Sequence, residues 1–468
     1  MSSFVFRLGI VGPIGLVAAY GASRPGIVNA AAGSLLTDAS APFVAPETQT
    51  AEDPTILRSR FLTINFDVLP GPADRRMLRE PSVSLELFPD VTVFGTFDRY
   101  DPNPDGVTWV GHVEGVPASA ITLAYSGGLM AGSIVMPDAL YQIRPASAEA
   151  RAAAPPGGAL HVVSEIDQAA FPREAAPIEV RFSQADLAAA ANARMTDTAE
   201  VIDVMVLYTS LAAANAGGQA GIANLINLGV SETNTSYANS GINQRLRLAR
   251  AAQVPYTEVS SFSTNLTNLR NGAGALSGVA ALRDTQHADL VTMLVHPPAP
   301  DACGIAFLMT SVTNAFASSA FSVTDTACVR PSYTFAHELG NNMGARHDWY
   351  VDNATTPFTY AHGHVNATAS QRWRTIMAYP DLCTVLGFSC TRLLYWANPE
   401  TRYLGFCSRG VNCGGLEYWY FPGVPMGIAG GTSTSCQTGN SATTNCDADD
   451  RRTLNDSALT VANFRQGT

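Results

Sequence analysis

The sixteen residues TFAHELGNNMGARHDW, Thr334 to Trp349, constrain this chain more than any other segment. His337 and Asn341 stand four apart, so a helix through them puts both side chains on one face, where two groups can hold one metal ion. Glu338, next to the first of them, reaches a water held by such a metal and can serve as its general base. Gly344 lets the chain turn out of the helix, and His347 is then placed to return as a further ligand. The pattern asks for a buried helix, a glycine break and a chain that doubles back.

The run resembles the metzincin signature HExxHxxGxxH, and the Asp348 that follows resembles the adamalysin (reprolysin) branch. Every fixed position matches except 341, which is Asn where the family has its second His. RTIMAYP, carrying Met377 thirty residues past His347, resembles the Met-turn beneath the metzincin metal site. Tyr379, two residues on, resembles the astacin and serralysin branches, where this tyrosine reaches the metal or stabilises the oxyanion. The resemblance covers roughly Val201 to Phe464. Within metzincins it is similar to bacterial adamalysin-like proteases, among them the peptidyl-Asp metalloendopeptidases, which cleave on the amino side of acidic residues.

The resemblance implies a secreted endopeptidase acting on protein or peptide substrates. It implies Zn2+ held by His337, His347 and, at the position of the missing His, Asn341, with catalysis by Glu338 and Tyr379. It also implies an α/β (α+β) fold, a twisted five-stranded sheet over the active-site helix. Substrate would lie extended along an edge strand, for which AFSVTD, Ala320 to Asp325, is the candidate. A pocket for acidic residues needs a buried cation. The chain has no Lys among its 28 basic residues, so that cation must be Arg. Arg372 and Arg374, just before the Met-turn, are the candidates. Many metzincin prosegments block zinc with a Cys, but the first 302 residues hold none, so latency would need another ligand, such as a carboxylate of SEID, Ser164 to Asp167.

Asn341 opens a second functional class. An amide carbonyl is a harder, weaker ligand than imidazole and suits calcium or magnesium better than zinc. The alternative to a working protease is therefore an impaired pseudoprotease or peptide-binding module on the same scaffold. His362 and His364, in YAHGHVN, are candidate replacement ligands.

Composition removes other readings. Without Lys there is no Schiff base, no phosphate-binding loop and no kinase site. No GxSxG elbow occurs, and a net charge of -11 argues against nucleic acid as a partner. Residues 1–22 read as a signal peptide, a short basic start and then about 15 apolar residues, leaving no membrane span once removed. Residues 23–198 read as a β-rich prosegment, FLTINFDVL and SVSLELFPDVTVFGTF alternating apolar and polar, with an Ala-, Pro- and Gly-rich linker near 145–158. Residues 199–468 read as the protease domain, expected to be a monomer, in which strands at Val201 and Asp289 alternate with helices over Ala220–Ala238 and Leu266–Asp284. All eight Cys fall between Cys303 and Cys446, so the C-terminal part is disulfide-rich. Proximity favours pairing Cys303 with Cys328, Cys383 with Cys390, Cys407 with Cys413 and Cys436 with Cys446. Asp197 offers a place for cleavage that would release the prosegment.

Overall fold

A computed structural model of the chain describes residues 34–39, 53–69, 82–103, 106–137, 139–154, 160–191, 195–368, 371–407, 419–430 and 446–466. The signal-like start lies outside these residues, as do Cys413, Cys436 and the side chain of Cys407. The architecture is mixed α/β, built on two main sheets.

The first sheet is antiparallel and has nine strands: β1 (Leu36–Asp38), β2 (Ile56–Ile64), β3 (Ser82–Phe88), β4 (Val91–Asn103), β5 (Gly106–Val113), β6 (Ala120–Ser126), β7 (Leu129–Val135), β8 (Leu140–Pro145) and β9 (Leu160–Ile166). Helix α1 (Ala148–Ala153) joins the last two. Alternation along the strands sends Leu85, Trp109, Ile121, Leu123, Ile143 and Val163 into one apolar core. The end strands β1 and β3 meet, where the Leu35 amide donates to the Ser84 carbonyl at 3.0 Å, so the sheet is curled on itself.

The second sheet runs β10 (Ile178–Glu179), β14 (Gly304–Leu308), β15 (Phe321–Asp325), β13 (Leu290–Val295), β11 (Val201–Tyr208) and β12 (Arg245–Gln253). Strands β12, β11, β13 and β15 are mutually parallel, and β14 is antiparallel to β15. The inner strands β11 and β13 are near-continuous apolar runs, as burial on both faces requires, whereas the edge strand β12 carries exposed arginines. Helices α2 (Gln184–Ala191), α3 (Ser210–Asn215), α4 (Gln219–Ser240), α5 (Phe262–Asn271), α6 (Val279–Thr285) and α7 (Thr334–Asn342) accompany it. The helix expected over Leu266–Asp284 is two helices, because Gly272 turns left-handed at φ 62° and caps the first. The expected edge strand is also corrected: Phe321–Asp325 is an inner strand, since β14 pairs outside it. Five strands come from residues 201–325, and the sixth, β10, is laid on the β14 edge in parallel register, Ile178 opposite Phe307 and Glu179 opposite Leu308.

Cys303 pairs with Cys328 and Cys383 with Cys390, as proximity suggested. Cys446 is also disulfide-bonded. Among the described residues no helix is long and apolar enough to cross a membrane.

The curled sheet packs on α4 through Ala124, Ala131 and Leu228. Asn224 on α4 donates to the Leu129 carbonyl at 2.8 Å, and Arg330 donates to the carbonyls of Gly132 and Ile143 at 2.8 and 3.0 Å. Glu232, also on α4, is buried at this junction, and burial pushes its carboxyl from 4.5 up to about 7 against a weaker pull from Ser133 and Arg330. A carboxyl whose pKa rises on folding contributes stability that is whole below its unfolded value and lost as pH climbs through the folded one. The full-length chain should therefore lose stability between about pH 4.5 and 7 through this group, and Glu232→Gln should remove that part of the loss. Thermal melts of both proteins at pH 5 and pH 8 check this. An equal gap in the two would show that Glu232 plays no part.

Candidate metal centre and active site

Helix α7 is buried along its whole length. It can lie this deep because Gly340 has no side chain: a Cβ there would sit 2.7 Å from the Trp396 ring and 2.9 Å from Met377 Sδ. Met377 thus packs directly beneath the helix. After Asn342 the chain leaves the helix, and Gly344 takes φ 91°, which L side chains rarely adopt. The turn returns His347 to the helix face, its Nε2 3.2 Å from His337 Nε2. Two nitrogens bound to one tetrahedral zinc at ~2.0–2.1 Å lie roughly 3.3 Å apart, so this pair has the spacing of shared ligands.

The third position fits a metal less well. Asn341 Nδ2 donates to Glu338 Oε2 at 3.2 Å, while Asn341 Oδ1 and Glu338 Oε1 are buried with no hydrogen-bond partner. An orphaned amide oxygen costs free energy unless something else binds it, and a cation between the two imidazoles would do so. The donor set is two imidazoles and one amide oxygen. Among the described residues no group of three His, Cys, Asp or Glu could hold a metal, so no third such side chain joins them.

Electrostatics keep the two imidazoles in the form a metal needs. Burial pushes His337 down to about 4 and His347 down to about 3, so both imidazoles are neutral near pH 7. His337 Nδ1 lies 2.9 Å from the Ile376 carbonyl, which accepts its proton in the tautomer that frees Nε2. Burial also drives Glu338 well above the usual carboxylate range, with Glu174 adding to the effect. Asp348 accepts the amides of Tyr379 at 2.8 Å and Tyr350 at 3.1 Å, which ties the Met377 turn to the segment carrying His347. The Tyr379 ring stacks on His347 with centroids 4.0 Å apart. Burial holds its hydroxyl protonated, and it donates to the Glu174 carbonyl at 2.9 Å.

The structure thus brings His337, Glu338, Asn341, His347, Met377 and Tyr379 together. It does not bring His362 or His364 with them. His362 lies between the carbonyls of His347 and Ala354 and stacks on Trp349, and His364 meets Trp373 edge-on. Arg372 stacks over Phe388 at 4.0 Å. Arg374 is buried, donates to the Ala378 carbonyl at 2.7 Å, and lines a cavity of about 340 Å³ beside Glu174 and Arg392.

Sequence reasoning missed two residues in that cavity. Residues 173–179 run along the β14 edge: the Cys303 amide donates to the Arg173 carbonyl at 3.0 Å and the Ala175 amide to the Gly304 carbonyl at 2.8 Å. Arg346 Nη2 binds Glu179 Oε1 at 2.9 Å. Glu174 turns inward, its Oε1 2.5 Å from Arg392 Nη1 and 2.8 Å from Thr334 Oγ1. Burial alone would raise the Glu174 carboxyl, but Arg392, with His337 and Arg374, holds it far below the usual range. The SEID carboxylates lie elsewhere, Glu165 on Arg58 and Asp167 capping Ala169. The absence of Lys was a signal that some Arg must serve here, but nothing in CTRLLYW singled out Arg392.

Comparison with known proteins agrees with this geometry. Residues 198–406 match the model of the family described as metallo-peptidase family M12B, reprolysin-like. The chain is 32% identical over 357 residues to a peptidyl-Asp metalloendopeptidase of Stenotrophomonas maltophilia (strain R551-3), spanning 75% of this chain and 71% of that protein. It is 32% identical over 295 residues to the protein of the same name from Xanthomonas campestris pv. campestris, spanning 62% and 64%.

Proposed function

The chain belongs to the reprolysin-like M12B metallopeptidases, and from that premise we propose that it is a secreted zinc endopeptidase, made as a latent precursor, that cuts beside acidic residues. The observation that carries the reading is the 3.2 Å approach of two neutral imidazoles beside a buried glutamate. His337 and His347, with Asn341 Oδ1, would hold the ion. When bound, zinc supplies a Lewis acid for the peptide carbonyl and brings the pKa of a water down to ~7.

This chain's own residues do the rest. Glu338 takes the attacking water's proton and delivers it to the leaving amine. Tyr379 donates to the oxygen that gains charge, as it now donates to the Glu174 carbonyl. The β14 edge binds an extended substrate by backbone pairing once residues 173–179 have left it. Residues 1–22 are the proposed export signal, 23–198 the prosegment and 199–468 the protease, with release by cleavage before Asp197, two residues ahead of that last boundary. The peptidyl-Asp name of the relatives and the glutamate seated against Arg392 both favour acidic substrates.

Asn341 favours a second reading, a scaffold that binds peptides without cutting them. Metal analysis of the secreted protein, with casein cleavage before and after chelation, separates the two. Zinc near one equivalent and chelator-sensitive cleavage are expected. Zinc-free protein that nonetheless binds peptides would leave the scaffold reading in its place.

A further inference from the structure

We propose that Arg392 is the residue that selects an acidic side chain in the substrate, and that Glu174 of the chain's own prosegment occupies its pocket as a stand-in for that side chain. The inference rests on the endopeptidase reading above and adds the group that reads the substrate.

Backbone placement comes first. Tyr379 stacks on His347 and donates to the Glu174 carbonyl, so the Glu174 backbone passes the metal-binding imidazoles at the point where a substrate carbonyl must lie. The flanking amide and carbonyl contacts with Gly304 and Cys303 hold the segment extended on the sheet edge. A side chain leaving this backbone enters the neighbouring cavity, and the one that does so is a carboxylate.

The cavity is built to hold a negative charge. Arg392 is 1% exposed, and its guanidinium is aimed by two fixed carbonyls: Nε donates to that of Ile376 at 2.8 Å and Nη1 to that of Ser332 at 2.6 Å. No carboxylate of residues 199–468 is paired with it among the described residues; its acidic partner is Glu174. Arg374 stands behind it, buried, with Nε lacking any hydrogen-bond partner. When the prosegment leaves, it takes Glu174 and one wall of the cavity with it, and Arg392 and Arg374 are left facing an opened pocket without that carboxylate. A buried cation without a partner is strongly unfavourable, so the emptied pocket favours an incoming carboxylate over a neutral side chain of the same shape.

The test expresses the full-length chain with Glu174→Ala, alone and combined with Arg392→Gln, Arg392→Lys or Arg374→Gln, and assays each protein once cleavage ahead of Asp197, by itself or by an added protease, has freed the β14 edge. Fluorescein-labelled peptides matched except for a central Asp or Asn are followed both by anisotropy and by cleavage. Glu174→Ala should prefer the Asp peptide by roughly 10²-fold or more, as sites built around a polar group reject analogues lacking it. Arg392→Gln should bring that ratio close to one, and Arg392→Lys should keep part of it. A preference that survives Arg392→Gln, or vanishes only with Arg374→Gln, overturns the assignment. Should Arg392→Gln fail to fold, the Lys variant decides, a weakened ratio supporting the proposal and an unchanged one overturning it. If no variant cuts either peptide while anisotropy still ranks Asp above Asn in an Arg392-dependent way, the endopeptidase reading falls and this one stands.

Discussion

Asn341→His is expected to tighten zinc binding by about 10²-fold or more, since losing even an outer partner of a metal ligand costs roughly 10–100-fold. The substitution supplies a third imidazole on the helix face that already carries His337, one turn away. It also replaces an amide whose oxygen is buried without a partner and whose nitrogen engages Glu338. Two consequences follow from the same change: a softer nitrogen donor for the ion, and the loss of the amide hydrogen bond that favours the ionised Glu338 carboxyl. Competition against a chromogenic chelator measures the first, and casein cleavage the second. Equal zinc affinity in the two proteins would mean that position 341 contributes nothing as a ligand, and that some other group completes the site.

Glu338→Gln should lower cleavage by roughly 10²–10⁴-fold, the usual contribution of a general base. Its zinc content should not change, because the glutamate is not among the proposed ligands. Glutamine keeps the shape of the side chain in a site with no room to rearrange, so loss of activity would report chemistry and not unfolding. The comparison is made in the Asn341→His background if the natural protein turns over too slowly. Activity equal to the parent in metal-replete protein would remove Glu338 from the mechanism and leave the scaffold reading in the lead.

Much of the centre was legible because its spacing is local. His337 and Glu338 are neighbours on one helix, Gly344 has to break that helix, and His347 follows within a few residues. The inner parallel strands announced themselves as near-continuous apolar runs, VIDVMVLY and LVTMLV. The sheet edge was not legible. GIAFL and FSVTD are both short and fully buried, and which lies outside depends on a pairing that neither sequence encodes alone. The Glu174–Arg392 contact joins positions 218 apart in sequence, so no window of the chain contains it. Arg374 and Arg372 show the same limit from the other side. One lines the cavity and its near neighbour stacks on an aromatic ring, although residues two apart in a strand share a face, so the difference lies in where Phe388 falls in the tertiary fold.

Arg330 gives both hydrogen bonds of one nitrogen to carbonyls of the curled sheet, and it stands just ahead of Tyr333, which enters the active-site helix at φ 58°. The turn that starts the catalytic helix is thus braced by atoms that a mature enzyme would not own. Under the proposed release of residues 23–198, such a protease would be assembled in one direction: the leader would serve as a mould, and the casting would keep a shape whose supports have gone. What then preserves the shape is the height of the barrier to leaving it, not the depth of the well it occupies. Activation by that release would then also be the point after which the molecule could no longer repair itself.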